Sequence, residues 1–134
     1  MEWRERRFAA EAGSLEDIRA FVLPCLADIP KKRKMHVELA LEETVVNICS
    51  YAYEVPPGEL IVRISDEGDR YFLEFEDRGV PFDPLSSGDP DVSAPMEERG
   101  QGGLGILLIR RVMDEAHYSR ENGVNRLRLV VKKT

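Results

Sequence analysis

Four glycines crowd into the six positions from Gly100 to Gly105, and an apolar stretch with helical spacing starts directly behind them. Glycine lets a backbone turn sharply and approach a ligand without a Cβ in the way. Leu104, Leu108 and Val112 recur every four residues with Ile109 and Met113 beside them, so a helix is expected from Leu104 onward. A glycine-rich loop entering a helix aims unpaired N–H groups and the positive end of the dipole at one spot, which suits phosphate. The expected ligand is therefore phosphorylated. The same glycines also satisfy G-x-G-x-x-G, but that dinucleotide fingerprint follows a strand directly inside a βαβ unit. Here a polar stretch precedes it, late in the chain, which argues against a dinucleotide site.

With 134 residues the chain can bury one core and is too short for two ordinary domains, so residues 1–134 are read as one domain. No run approaches the roughly 20 apolar residues that span a bilayer. The start, Met1 to Arg7, is charged and lacks the apolar segment of a secretion signal. No membrane partner and a cytoplasmic location are expected. A net charge of −6 argues against nucleic acid as a partner. The basic run Lys31 to Lys34 reads as a solvated face or a docking point for an acidic partner. Cys25 and Cys49 lack C-x-x-C spacing and read as free thiols, and His36 and His117 have no partner at metal-ligand spacing.

The patterning predicts a first strand over Arg6 to Glu11 and a helix over Leu15 to Leu26, with Ser14 as cap, Asp17 in the capping-box position and an Ile18, Phe21, Val22, Cys25 stripe. A longer helix is expected from Lys31 to Tyr53, ended by Pro56-Pro57-Gly58. Alternating apolar residues predict strands over Glu59 to Asp66 and Arg70 to Glu76, turning at Glu67-Gly68-Asp69. A closing hairpin is expected from Ala116 to Arg120 and Asn125 to Val131, around Glu121-Asn122-Gly123. Residues 81–102 show no periodicity and hold much of the Pro, Ser, Asp and Gly, as a functional lid or a disordered segment does. These elements assemble naturally as an α/β two-layer sandwich, with helices on one face of a mixed, mostly antiparallel sheet.

On the long helix Leu41, Val45, Ile48 and Ala52 share a narrow arc, with Val37 close to it. Glu43 and Asn47 stack one turn apart, well around the cylinder from that arc. A carboxylate and a carboxamide so placed can share a hydrated cation such as magnesium, which takes hard oxygens together with phosphates. An ordinary polar helix face explains the pair equally simply. Downstream, Asp77 ends a strand and Gly79 follows two residues later. That Asp can accept a hydrogen bond from an exocyclic amine while Gly79 leaves room for a flat ring, though Asp and Gly also suit a plain turn.

Together, Glu43-x-x-x-Asn47, the run Asp77-Arg78-Gly79-Val80-Pro81-Phe82-Asp83-Pro84, the glycine loop with its Met113-Asp114 helix end, and Gly123-Val124-Asn125-Arg126-Leu127 fall in a familiar order. Over nearly its whole length the chain resembles the small serine-kinase anti-sigma factors of bacteria, within the histidine-kinase-like ATPase (Bergerat) superfamily. The resemblance implies ATP and Mg2+ as cofactors. It makes Asn47 the metal ligand and Glu43 the general base that prepares a serine hydroxyl, or a water, for in-line attack on the γ-phosphate. It gives Asp77 the adenine amine, with Gly79 making room, and gives the phosphates to Gly100, Gly102, Gly103, Leu104 and Gly105. Arg99 becomes the best-placed lid cation for the γ-phosphate, with Arg78 as its competitor. Asn125 falls among the nucleotide-binding positions, where the family often has a small hydroxyl residue. Tyr51 stands where it often has a histidine. The implied activity is ATP-dependent phosphorylation of a serine on a STAS-type anti-anti-sigma protein, the chain otherwise holding a sigma factor inactive, as a homodimer. A non-catalytic regulator that binds ATP and acts only by holding its partner is the alternative.

Overall fold

The computed structural model describes residues 2–49, 58–80 and 109–134. Its frame is a five-stranded sheet in the order β1-β2-β3-β5-β4, with β1 Trp3–Ala10, β2 Gly58–Asp66, β3 Arg70–Asp77, β4 Glu115–Glu121 and β5 Val124–Lys132. All four pairings are antiparallel, so among the described residues the sheet has no parallel pair. Helices α1 (Leu15–Val22) and α2 (Lys31–Asn47) send Ile18, Val22, Val37, Leu41 and Val45 into one core. The sheet supplies every second residue to it: Leu60, Val62 and Ile64 from β2, Leu73 and Phe75 from β3, Leu127 and Leu129 from β5. Because side chains alternate along a strand, Asp77 and Asn125 continue these same rows and face the helical layer. The expected two-layer sandwich is present.

Several boundaries differ from the patterning, each for a local reason. β1 begins at Trp3 rather than Arg6 because its charged first half is held by backbone pairing, Trp3 opposite Ser65 through Ala10 opposite Gly58. Only Phe8 and Ala10 of that edge strand are buried, and charged residues on an edge discourage pairing with other chains. Ser14 does not cap α1: it ends a short 3-10 turn, is buried, and makes no capping bond. The α-helical ladder stops after Leu23 because Pro24 has no N–H, and residues 23–26 finish as a 3-10 turn that still buries Leu26. Regular α2 ends at Asn47, where the Ile48 N–H is shared between the carbonyls of Thr44 and Val45. The expected continuation to Tyr53 and the Pro56-Pro57 stop lie outside the described residues, apart from residues 48–49.

Residues 109–112 are helical, and Ile109 and Met113 are buried in the core as their spacing requires. Asp114 then anchors this helix end. Its carboxylate accepts from Arg33 at 3.1 Å and from the Lys132 N–H at 2.7 Å, while its own N–H donates to Val130 O at 2.9 Å. Part of the basic run 31–34 is thereby explained as a tie between layers.

The face of the sheet opposite the described helices carries a lattice of charges. Glu76 accepts from Arg63 at 3.0 Å and Arg126 at 2.7 Å, and Glu74 from Arg128 at 2.7 Å. Burial works to raise the Glu76 carboxyl, but the two guanidiniums outweigh it and hold the group below the usual carboxylate range. Arg128 also lies over the Phe72 and Trp3 rings, at 4.9 and 5.6 Å from their centroids.

The β4–β5 turn sets the register used by the candidate site. Asn122 and Gly123 have φ of 54° and 78°, the left-handed pair of a two-residue type I′ hairpin. With that turn fixed, Glu121 must face Val124 and Arg120 must face Asn125. A Cβ on Gly123 would meet nothing within 4 Å, so Gly123→Ala carries only the backbone penalty. We expect it to cost about 1–2 kcal/mol, read as a lower midpoint in urea with an unchanged slope.

Candidate functional site

One rung of the sheet carries most of the site. Arg120 on β4, Asn125 on β5 and Asp77 on β3 stand opposite one another in register across three neighbouring strands. Asp77 is 5% exposed and Asn125 4%. The Asp77 Oδ1 accepts the Gly79 N–H at 2.9 Å and the Asn125 Nδ2 at 3.0 Å. No hydrogen bond among the described residues uses Asp77 Oδ2. A carboxylate held by one oxygen and free at the other can read a donor, which is what an exocyclic amine offers. Asp77 and Gly79 are thus brought together with Asn125.

Asn125 is tied at both ends of its amide. Its Nδ2 donates to Asp77 Oδ1, to Val80 O at 2.9 Å and, at a longer 3.4 Å, to Gly79 O. Its Oδ1 accepts from Tyr118 Oη at 2.5 Å and Arg120 Nη1 at 2.9 Å. Acceptors surround one end and donors the other, so the neighbours dictate which atom is nitrogen. Arg120 Nη1 also donates to Gly79 O at 2.9 Å, fixing the strand-end loop a second time. Tyr118 and Arg120 belong to no motif in the sequence. The Asn-Gly turn was the available signal, since a two-residue hairpin loop places Arg120 opposite Asn125.

The second group lies on α2. Asn47 is 3% exposed, and its Nδ2 is buried without a partner, as is Thr44 Oγ1 one turn earlier. The expectation that the Glu43–Asn47 ridge sits well away from the apolar arc therefore needs correction. Asn47 shares the buried side with Ala40 and Thr44, and the ridge runs along the border of the packed face. An ordinary polar helix face does not bury an amide and leave it unsatisfied, because that costs roughly 1–3 kcal/mol. Such an N–H donor fits a group completed by a bound acceptor, as a phosphate oxygen is. Glu43 is half-buried, and its carboxyl is raised above the ordinary glutamate range by burial and then by neighbouring Glu42. No hydrogen bond among the described residues joins the α2 pair to the Asp77 network.

The remaining expected site residues, Arg99, Gly100, Gly102, Gly103, Leu104 and Gly105, and the expected lid at 81–102 lie outside the described residues. Arg78, the competitor of Arg99, is described and borders a cleft with Arg63, Glu76 and Arg126, on the face opposite the described helices. Cys25 and Cys49 are free thiols, and burial pushes the Cys49 thiol up. Among the described residues no three His, Cys, Asp or Glu side chains form a metal-binding group, and no helix is long and apolar enough to cross a membrane.

Comparison with known proteins places this fold. Residues 8–131 match the family described as "Histidine kinase-like ATPase domain". The chain belongs to that family. It is 33% identical over 92 residues to the serine-protein kinase RsbW of Bacillus cereus, and 30% identical over 92 residues to that of Bacillus thuringiensis subsp. konkukian. Each match covers 66% of this chain and 58% of the relative, so the chain spans little more than half the length of these kinases. Among solved structures it is similar to the catalytic domain of histidine kinase ThkA, with a TM-score of 0.57 at 12% identity, covering 100% of this chain and 97% of that one. It is also similar to the histidine kinase AdeS of Acinetobacter baumannii, with a TM-score of 0.55 at 14% identity, covering 98% and 69%. At these identities the two structures speak for the fold alone.

Proposed function

We propose that this chain binds ATP with magnesium and transfers the γ-phosphoryl group to a serine of a small STAS-type protein, holding a sigma factor when that partner is absent. The observation that carries the reading is the Asp77 carboxylate, buried and fixed by one oxygen with the other left to meet an adenine amine. The likeness to serine-protein kinases supports the choice of acceptor. Asn47 would hold the magnesium ion through its amide oxygen, and the ion would neutralise charge on the phosphates when bound. Glu43 takes the proton of the serine hydroxyl as its oxygen forms a bond to the γ-phosphorus. The bond from that phosphorus to the bridging oxygen breaks, and ADP leaves with the electron pair. A raised carboxyl is a stronger base than an ordinary glutamate, which suits this step.

The test is direct. The protein is mixed with Mg-ATP and a STAS-type antagonist, and the antagonist's intact mass is followed. The gain of one phosphoryl group supports the kinase reading. Bound ATP with an unchanged antagonist mass leaves the non-catalytic regulator.

A further inference from the structure

We propose that Arg120 is a positioning residue that sets the preference for adenine, acting through Asn125 on Asp77; this rests on the nucleotide-binding reading above. Asn125 itself has no hydrogen-bonding capacity left for a nucleotide. Both lone pairs of its Oδ1 are taken by Tyr118 and Arg120, and its two N–H groups serve Asp77, Val80 and, at longer range, Gly79. Its place among the nucleotide-binding positions is therefore indirect: it holds the group that reads the base. Arg120 holds Asn125 in turn.

The geometry gives this clamp three consequences. A charged donor on Asn125 Oδ1 polarises the amide and strengthens the bond that its nitrogen donates to Asp77. The same guanidinium pins Gly79 O, so the loop beside the carboxylate cannot turn its carbonyl elsewhere without losing the bonds it accepts from Arg120 and Asn125. Asp77 Oδ2 is then left as a fixed acceptor, open to an amine and hostile to a carbonyl. Adenine presents an amine at that ring position and guanine an oxygen. Discrimination by such a site depends on the carboxylate being unable to rotate away. Arg120 supplies that constraint from the exposed edge strand, with its register fixed by the Asn122-Gly123 turn.

Arg120→Met removes the clamp without touching the core or Asp77. ATP affinity, measured by calorimetry, is expected to fall about tenfold, the usual worth of a charged hydrogen bond. GTP affinity should hold or rise, because a loosened carboxylate can turn away from its oxygen. Arg120→Lys keeps a charged donor on a shorter stem; because one nitrogen of Arg120 serves both acceptors, an ammonium can replace it, and the variant should recover part of the ATP:GTP ratio. A purely structural role for Arg120 would weaken both nucleotides together. Equal losses for ATP and GTP, or no change in either, overturn the proposal, as does a wild-type protein that binds the two equally well. A wild-type protein that binds neither overturns the nucleotide reading first and this proposal with it. A thermal melt of each variant shows that the fold is retained.

Discussion

Glu43→Gln is expected to lower phosphotransfer by roughly 10²–10⁴ while ATP binding stays intact, because the amide keeps shape and polarity but cannot accept a proton. The adjacent carboxylate gives the control. Glu42 is committed to Arg19, whose Nη2 donates to it at 3.3 Å, so Glu42→Gln should leave the rate close to that of wild type. Acidity offers an independent readout. Glu43 works as a base only when ionised, so the rate falls as pH drops through its pKa. That pKa is raised, chiefly by burial and then by Glu42, so the acid limb should lie above where an ordinary glutamate would place it. Removing the Glu42 charge should move the limb back toward lower pH. Single-turnover transfer to the antagonist measures the rate, and calorimetry measures ATP binding. Full turnover in Glu43→Gln would leave Glu43 without its role.

What the sequence disclosed and what it hid divide along the range of the interactions. Alternation along β2 and β3 reports burial residue by residue, so Leu60, Val62, Ile64, Leu73 and Phe75 are legible from spacing alone. The Asn122-Gly123 pair announces its own hairpin, and residues 109–113 keep the helical rows expected of them. The start of β1 was hidden because Trp3, Arg4 and Glu5 belong to the sheet through backbone bonds to β2, which leave no mark on hydropathy. The depth of Asn47 was hidden for a related reason. A helical wheel gives its angle from the Leu41 arc, but whether that angle is covered depends on what packs beside it. The clamp on Asp77 needs two registers at once, β3 with β5 and β5 with β4. The second follows from a two-residue turn; the first joins residues 48 positions apart and has no local signal.

Asp77→Asn should do more to nucleotide choice than to stability. The substituted side chain has one carbonyl oxygen, and two donors already converge on the Oδ1 position: the Gly79 N–H at 2.9 Å and the Asn125 Nδ2 at 3.0 Å. Those bonds keep the oxygen where it is, so the new NH₂ must take the Oδ2 position, facing the ligand. Among the described residues no hydrogen bond is lost, and the melting point should change little. The ligand meets a donor where it met an acceptor. For ATP the lost charged hydrogen bond is worth about 1.5–3 kcal/mol, a fall in affinity of roughly 10- to 150-fold. Opposed donors deepen that loss. For GTP the same change converts a repulsion into a match, since guanine offers an oxygen there. The expected result is therefore a reversal of preference, measured as the ratio of the two dissociation constants. Unchanged ATP affinity in the variant would remove Asp77 from the base-reading role, and the part proposed for Arg120 would fall with it.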